Sequence, residues 1–323
     1  MKSNEITLDL IENYLAQLDI PTEPERLYAP IGYSLAAGGK RIRPMLVMLC
    51  HALFSDNDKV ALPAAAAVEV FHNFTLLHDD IMDNALVRRG KPAVHVKWDQ
   101  NVAILSGDVM MIVAYKQLSL LPANILPQIF KEFNTMAAEV CEGQQYDMDY
   151  ETRPKVSVVE YMRMIELKTS VLLGSSAAIG AMLGGATVEQ CQILKRFATE
   201  IGIAFQLQDD YLDSYGDEQL GKAIGGDILI GKQTFLMNSA MSRADEPTRD
   251  ILRYTHLDET LSDEEKIERI KAVFDRLDMP HHTEQQIKNR FDKAFSLLST
   301  LDLEDEKLEN LRLFAQGLIN RKK

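Results

Sequence analysis

Two acidic stretches carry most of the chemistry in this sequence: Asp79-Asp80-Ile81-Met82-Asp83 and, 130 residues further on, Asp209-Asp210-Tyr211-Leu212-Asp213. Each closes an apolar segment of helical period. On a helix the i, i+4 spacing stacks Asp79 over Asp83 and Asp209 over Asp213. Stacked like charges repel, so carboxylates set this way call for cations, and hard oxygen donors suit Mg²⁺. An isolated acidic triplet is ordinarily a solvated helix end. Two copies of one pattern, both ending apolar helices and expected to face each other, point to bound metal.

Other polar residues recur on the same helical faces. His72, Asp79 and Asp83 fall within about 20° of one line, with Thr75 and Leu76 beside it. In the second stretch Gln206, Asp209 and Asp213 align at i, i+3 and i+7, and Gln206 is able to donate to an anion or to satisfy a carboxylate. Lys168, in Glu166-Leu167-Lys168-Thr169, interrupts the apolar text from Tyr161 to Leu183, so it must either snorkel or meet an anion. Three basic clusters accompany these groups: Lys40, Arg41 and Arg43 after Gly38-Gly39; Arg88 and Arg89 after the first acidic stretch; and Lys222 and Lys232 in and after Gly221-Lys222-Ala223-Ile224-Gly225-Gly226-Asp227. Each alone reads as a solvated loop. In a chain of net charge −13, cations gathered beside carboxylates suit a phosphate, bridged by metal to the aspartates and held by Arg and Lys at its remaining oxygens.

The elements that must position these groups read as helices. Ile6, Leu10, Ile11, Tyr14, Leu15 and Leu18 recur at helical spacing before Pro21 and Pro24. Further helices are expected over residues 41–54, 63–82 and 100–121, and Leu86 to Pro92 reads as a basic loop. Capping boxes are expected at Ser157 with Glu160, Thr187 with Gln190, Ser262 with Glu265 and Thr283 with Gln286. No alternating run is long enough for a sheet, and no Pro-rich or Ser-rich linker or short repeat interrupts the text. The economical fold is all-α: one domain over residues 1–323, a helical bundle of ten or more helices. The acidic balance argues against sequence-independent nucleic-acid binding. Cys50, Cys141 and Cys191 read as reduced core residues rather than disulfides or a zinc site. No signal peptide and no uncharged stretch of 18 apolar residues is evident, so no integral membrane segment and a cytoplasmic location are expected.

Taken together, Gly38-Gly39-Lys40-Arg41-Ile42-Arg43-Pro44, His78-Asp79-Asp80-Ile81-Met82-Asp83, Arg88-Arg89-Gly90-Lys91-Pro92, Gly143-Gln144 with Asp147, Lys168-Thr169 and Phe205-Gln206-Leu207-Gln208-Asp209-Asp210-Tyr211-Leu212-Asp213 resemble, in this order, the trans-isoprenyl diphosphate synthases of the polyprenyl synthetase family. The resemblance runs from about Gly38 through Lys232. It implies the isoprenoid synthase fold, a homodimer of helical bundles, each with a central cavity in which isopentenyl diphosphate is joined to an allylic diphosphate. By the same resemblance Asp79, Asp83 and Asp209 would hold three Mg²⁺ on the allylic diphosphate, with Asp80 and Asp213 supporting. Arg88, Lys168, Gln206, Lys222 and Lys232 would bind that diphosphate. Lys40, Arg43, His72 and Arg89 would hold isopentenyl diphosphate, and Gln144, Asp147 and Thr169 would line the space between.

In this family product length is limited by bulk below the first acidic stretch. Phe74, with Thr75 beside it, implies a C15–C20 product with C20 favoured. The wheel sets Phe74 about 140° from Asp79, so it must reach the growing tail from the side. Phe71, Met110 and Met111 are the next positions that could limit length. A terpene cyclase shares fold and metal chemistry but would lack the basic cluster at Lys40 and Arg43. A noncatalytic partner subunit would usually have lost one acidic stretch. The basic terminus Arg321-Lys322-Lys323 reads as a solvated end or as a flap over isopentenyl diphosphate.

Overall fold

The computed structural model describes residues 3–153, 155–216 and 224–319, and among them the fold is all-α apart from one short hairpin. The chain divides into two compact units. The first comprises residues 1–134, 175–195 and 303–311; the second comprises residues 135–174, 196–302 and 312–323.

In the first unit helices α1 (Asn4–Ala16), α2 (Glu25–Leu35), α3 (Ile42–Ala52), α4 (Leu62–Met82), α5 (Val94–Lys97) and α6 (Gln100–Leu118) are joined by short turns, with strands β1 (Val87–Arg88) and β2 (Lys91–Pro92) paired antiparallel between α4 and α5. The central member is α4. Proline in its first turn suits a position whose N–H would have no helical acceptor. Behind it Ala64, Ala65, Ala66 and Ala67 are all buried, so this segment is enclosed on every side and its small side chains let α3 and α6 approach. Phe71, Met110, Leu118 and Phe133 fill the core beyond.

Helices α7 (Leu126–Glu151), α9 (Val171–Gly184), α10 (Val188–Tyr215) and α16 (Asp305–Ile319) contribute residues to both units. The second unit also holds α8 (Val158–Ile165), a π turn over Glu166–Ser170, and α11 (Gly226–Leu229), α12 (Phe235–Arg243), α13 (Glu246–Tyr254), α14 (Asp263–Arg276) and α15 (Met279–Leu298). Tyr161, Ile165, Ile203, Leu207 and Phe235 form one core cluster, and Leu236, Leu252, Ile270, Phe274 and Met279 belong to another. The two helical stretches long and apolar enough to cross a membrane, Asp58–Met82 and Val158–Gly184, are 67% and 72% buried, which is the signature of core helices.

Several expectations change in detail. Three of the four capping boxes form, at Ser157, Thr187 and Ser262. Thr283 instead lies inside α15, with its hydroxyl donating to the Met279 carbonyl, because Met279-Pro280 already starts that helix. The basic loop 86–92 is a hairpin, turned at Arg89 and Gly90, both in the left-handed region. Cys50 and Cys191 are buried, but Cys141 is exposed on α7 and is not a core residue.

Candidate active site

The first acidic group sits at the C-terminal end of α4, where Asp83 is the cap residue and its N–H closes on the Asp79 carbonyl. Its members differ in surroundings. Asp80 is buried and takes Arg88 in a two-pronged ion pair, with Nε at 2.8 Å and a terminal nitrogen at 2.5 Å. Burial raises the Asp80 carboxyl above its ordinary range against the pull of Arg88. Asp79 stands 3.6 Å from Arg88 and Asp83 is exposed. Asp80 therefore fixes Arg88 over the helix end, with Asp79 and Asp83 on the turn around it.

Two turns back on α4, His72 Nε2 lies 3.1 Å from a terminal nitrogen of Arg43 on α3. Burial, then Arg43, Arg89 and Arg88 in that order, hold the imidazole well below the ordinary histidine pKa, so the ring is neutral and accepts from Arg43. Arg43 itself is lowered to about 10 by burial, and its Nε is enclosed with no hydrogen-bond partner. Arg89, from the hairpin turn, donates to the Gly38 carbonyl and is lowered by burial in turn. Cations crowded together at the expense of their own ionisation make a receptor for an anion. Lys40 is exposed at the head of the same segment.

Arg41 departs from its expected company. It is buried, in left-handed backbone conformation at φ 48°, and paired with Glu69 at 2.6 Å and Glu12 at 2.8 Å. It is a brace inside the protein, while Lys40 is exposed and Arg43 meets His72. Glu69, an acid in an otherwise apolar helix, was the sequence signal for such a partner.

The second acidic group lies inside α10, which continues to Tyr215. Asp210 is buried, and its carboxylate accepts from the Tyr161 hydroxyl, the Phe235 N–H at 2.9 Å and Gln206 Nε2 at 3.2 Å. Burial pushes its pKa up to about 7. Asp213 accepts from the Asp227 N–H at 3.0 Å, and its carbonyl accepts from Gly225 at 2.6 Å, so it fastens the segment leading to Lys232. Lys232 in turn lies 3.6 Å from Asp227. Asp227 and Tyr161 are site residues that the sequence reading missed; the acid directly after Gly225-Gly226 was the available signal for the first, and nothing local marked the second. Lys222 and Arg321-Lys322-Lys323 lie outside the described residues.

Lys168 meets an anion rather than snorkelling: its Nζ is 2.6 Å from Asp147 of α7. The neighbouring Thr169 hydroxyl is 3.2 Å from Gln206 Oε1, and Gln144 keeps a buried Nε2 with no partner. Phe74 is partly buried on the side of α4 that meets α6, tilted against Phe71 at 5.6 Å and edge-on to His78 at 4.8 Å; His78 Nε2 lies 3.1 Å from the Ile104 carbonyl. Thr75 donates back to the His72 carbonyl, Met110 is fully buried and Met111 partly so.

Among the described residues no three His, Cys, Asp or Glu side chains stand together as a ready-made metal cage. The donors present still fit Mg²⁺. That ion keeps several waters and binds through one or two carboxylates together with substrate phosphates, and each acidic group offers all-oxygen donors of that kind.

The family model of the polyprenyl synthetases matches residues 24–276. The geranylgeranyl diphosphate synthase of Methanosarcina mazei is 46% identical over 226 residues, covering 69% of each chain. A crystal structure of a geranylgeranyl pyrophosphate synthase superposes with a TM-score of 0.94 at 40% identity, covering 100% of both chains. A polyprenyl synthase from Caulobacter crescentus, solved with calcium and isoprenyl diphosphate, gives a TM-score of 0.83 at 27% identity over 99% of this chain and 94% of that one. Together with the two acidic groups, the arginine-lined His72 and the Lys168-Thr169 turn, these similarities lead to one conclusion: the chain belongs to the polyprenyl synthetase family, as a prenyltransferase of the short-chain trans-prenyl synthase kind.

Proposed function

We propose that the protein joins isopentenyl diphosphate to allylic diphosphates head to tail, giving all-trans C15–C20 prenyl diphosphates with C20 favoured. The observation that carries this reading is the make-up of α4: three carboxylates at its end and, two turns back, a neutral imidazole set among arginines. One helix thus offers an acidic edge for metal and a basic pocket for a diphosphate. The name of the Methanosarcina relative supports the C20 assignment.

In this reading Asp79, Asp83 and Asp209 hold three Mg²⁺, which when bound neutralise the departing diphosphate. Asp80 acts by fixing Arg88, and Asp213 by fastening residues 225–227 ahead of Lys232. Arg88, Lys168, Gln206, Lys222 and Lys232 take the allylic diphosphate, while Lys40, Arg43, His72 and Arg89 take isopentenyl diphosphate. Gln144, Asp147 and Thr169 line the space between. The allylic C–O bond breaks, its electron pair leaving with diphosphate. The isopentenyl double bond attacks the cation, and a proton lost to the departed diphosphate restores a neutral allylic chain. Lys168 and Arg88, preorganised by their ion pairs, stabilise charge as it develops on the leaving group. Residues 1–323 act as one catalytic domain, in a cytoplasmic homodimer.

Incubation with isopentenyl diphosphate, an allylic diphosphate and Mg²⁺, followed by separation of products by length, tests the reading. A C20 product is expected, and no condensation at all would overturn it. Asp79→Ala or Asp209→Ala should lower turnover by at least ~10²-fold, the scale of losing one charge-stabilising element. Near-normal turnover by either variant would sink the metal assignment.

A further inference from the structure

The π turn over Glu166–Ser170 adds a residue to one turn between α8 and α9, a rare distortion that gathers at functional sites. Two glycines hold it from opposite sides. A Cβ on Gly143 of α7 would stand 2.2 Å from the Lys168 backbone nitrogen and 2.6 Å from its Cα. A Cβ on Gly202 of α10 would stand 2.8 Å from Ser170 Cα and 2.9 Å from both its Cβ and its Oγ. Real side chains do not tolerate such distances, so both helices touch the turn with bare backbone.

The same arrangement then repeats one helical turn further along each flanking helix. Asp147, four residues after Gly143, accepts from Lys168 at 2.6 Å. Gln206, four residues after Gly202, accepts from the Thr169 hydroxyl at 3.2 Å. In each case a glycine at i admits the backbone and a polar residue at i+4 takes the side chain, since i and i+4 share a helical face. Lys168 and Thr169 would diverge by about 100° on a regular α-helix. Here each is claimed by a different neighbour.

We infer that Gly143 and Gly202 are positioning residues for the allylic diphosphate site, a two-sided clamp that sets the direction of Lys168 and Thr169 through the π turn. The inference rests on the prenyl-transfer reading for the identity of the ligand, but the clamp itself rests on the contacts above. The gentler substitution is Gly202→Ala. It should leave a folded protein by circular dichroism, raise KM for the allylic diphosphate and lower kcat, with kcat/KM falling by up to about 10²-fold, the scale of a misplaced catalytic group. KM for isopentenyl diphosphate should change far less. Adding Ser170→Gly removes two of the three closest contacts and should recover part of the loss, whereas Gly143→Ala should be more severe. A merely structural role would reduce the amount of active protein and move KM for both substrates alike; that result overturns the clamp. If the unmodified protein transfers no prenyl group, the functional reading fails, and hydrogen exchange across residues 161–173 still judges the clamp. Faster exchange confined to that segment in Gly202→Ala supports it, and unchanged exchange overturns it.

Discussion

An imidazole among guanidinium groups is held neutral, and that single fact makes His72 testable in two ways. On the proposed assignment of His72 to the pocket for the substrate that does not ionise, His72→Ala should raise KM for isopentenyl diphosphate more than for the allylic substrate, and equal effects would refute the division into two sites. The native pKa is depressed, so between that value and the ordinary value near 6.5 the unfolded chain binds a proton that the native protein does not. Stability from this source is intact above about pH 6.5 and falls as pH drops below it, by less than about 1.4 kcal/mol per pH unit. Denaturation midpoints above and below the histidine range, measured for the native protein and His72→Gln, should show a shallower slope in the variant. Residue types at their spacings were legible here: the alignment of His72 with Asp79 and Asp83 could be drawn from helical geometry alone. The division of labour within Lys40-Arg41-Arg43 could not. It depends on Glu12 and Glu69, 29 and 28 residues away from Arg41, and on a left-handed backbone that no local pattern encodes.

At the scale of elements, the proposed limit on product length falls to α4 and α6. Phe74 rests on Phe71 and His78 on the side of α4 facing α6, the lateral approach that its angle on the wheel requires. Phe74→Ala should move products to C25 and beyond with the first condensation little altered. If the ring serves only packing, the change should cost about 3 kcal/mol, the low end for a partly buried phenylalanine, and leave product length alone. Chromatography beside a thermal melt separates the two outcomes. Helices α1, α3, α4 and α6 and the starts of α8, α10 and α14 were readable from periodicity and caps. The π turn was not, because an i→i+5 turn changes no composition and shifts the apolar period by only one residue. Thr283 misled for a related reason: a capping pair is a local signal, and Pro280 had already begun the helix.

For the whole molecule, the proposed homodimer needs an apolar face. On α6 Leu105 and Ile112 are 55% and 54% exposed, and Ile104 is 41% exposed beside them. Positions i and i+7 share a face, so this is one stripe rather than scattered side chains. Leu105→Glu with Ile112→Glu should yield monomers by light scattering and size exclusion, since a charge in such a patch resists burial. A dimer that survives both changes would have its interface elsewhere. The sequence pointed to dimerisation only through the family resemblance, because which apolar residues of an amphipathic helix stay uncovered is fixed by the packing of all the others.

The course of α4 also makes it a ruler. At about 1.5 Å of rise per residue, His72, Phe74, Asp79 and Asp83 are marks about 3, 7.5 and 6 Å apart along a single axis. Substitution changes what stands at a mark. Only inserting or deleting a residue would move the marks themselves, and each such step would also rotate everything beyond it by about 100°. The gauge between the basic pocket and the acidic end of α4 is therefore kept by residue count, a quantity to which small changes cannot be made.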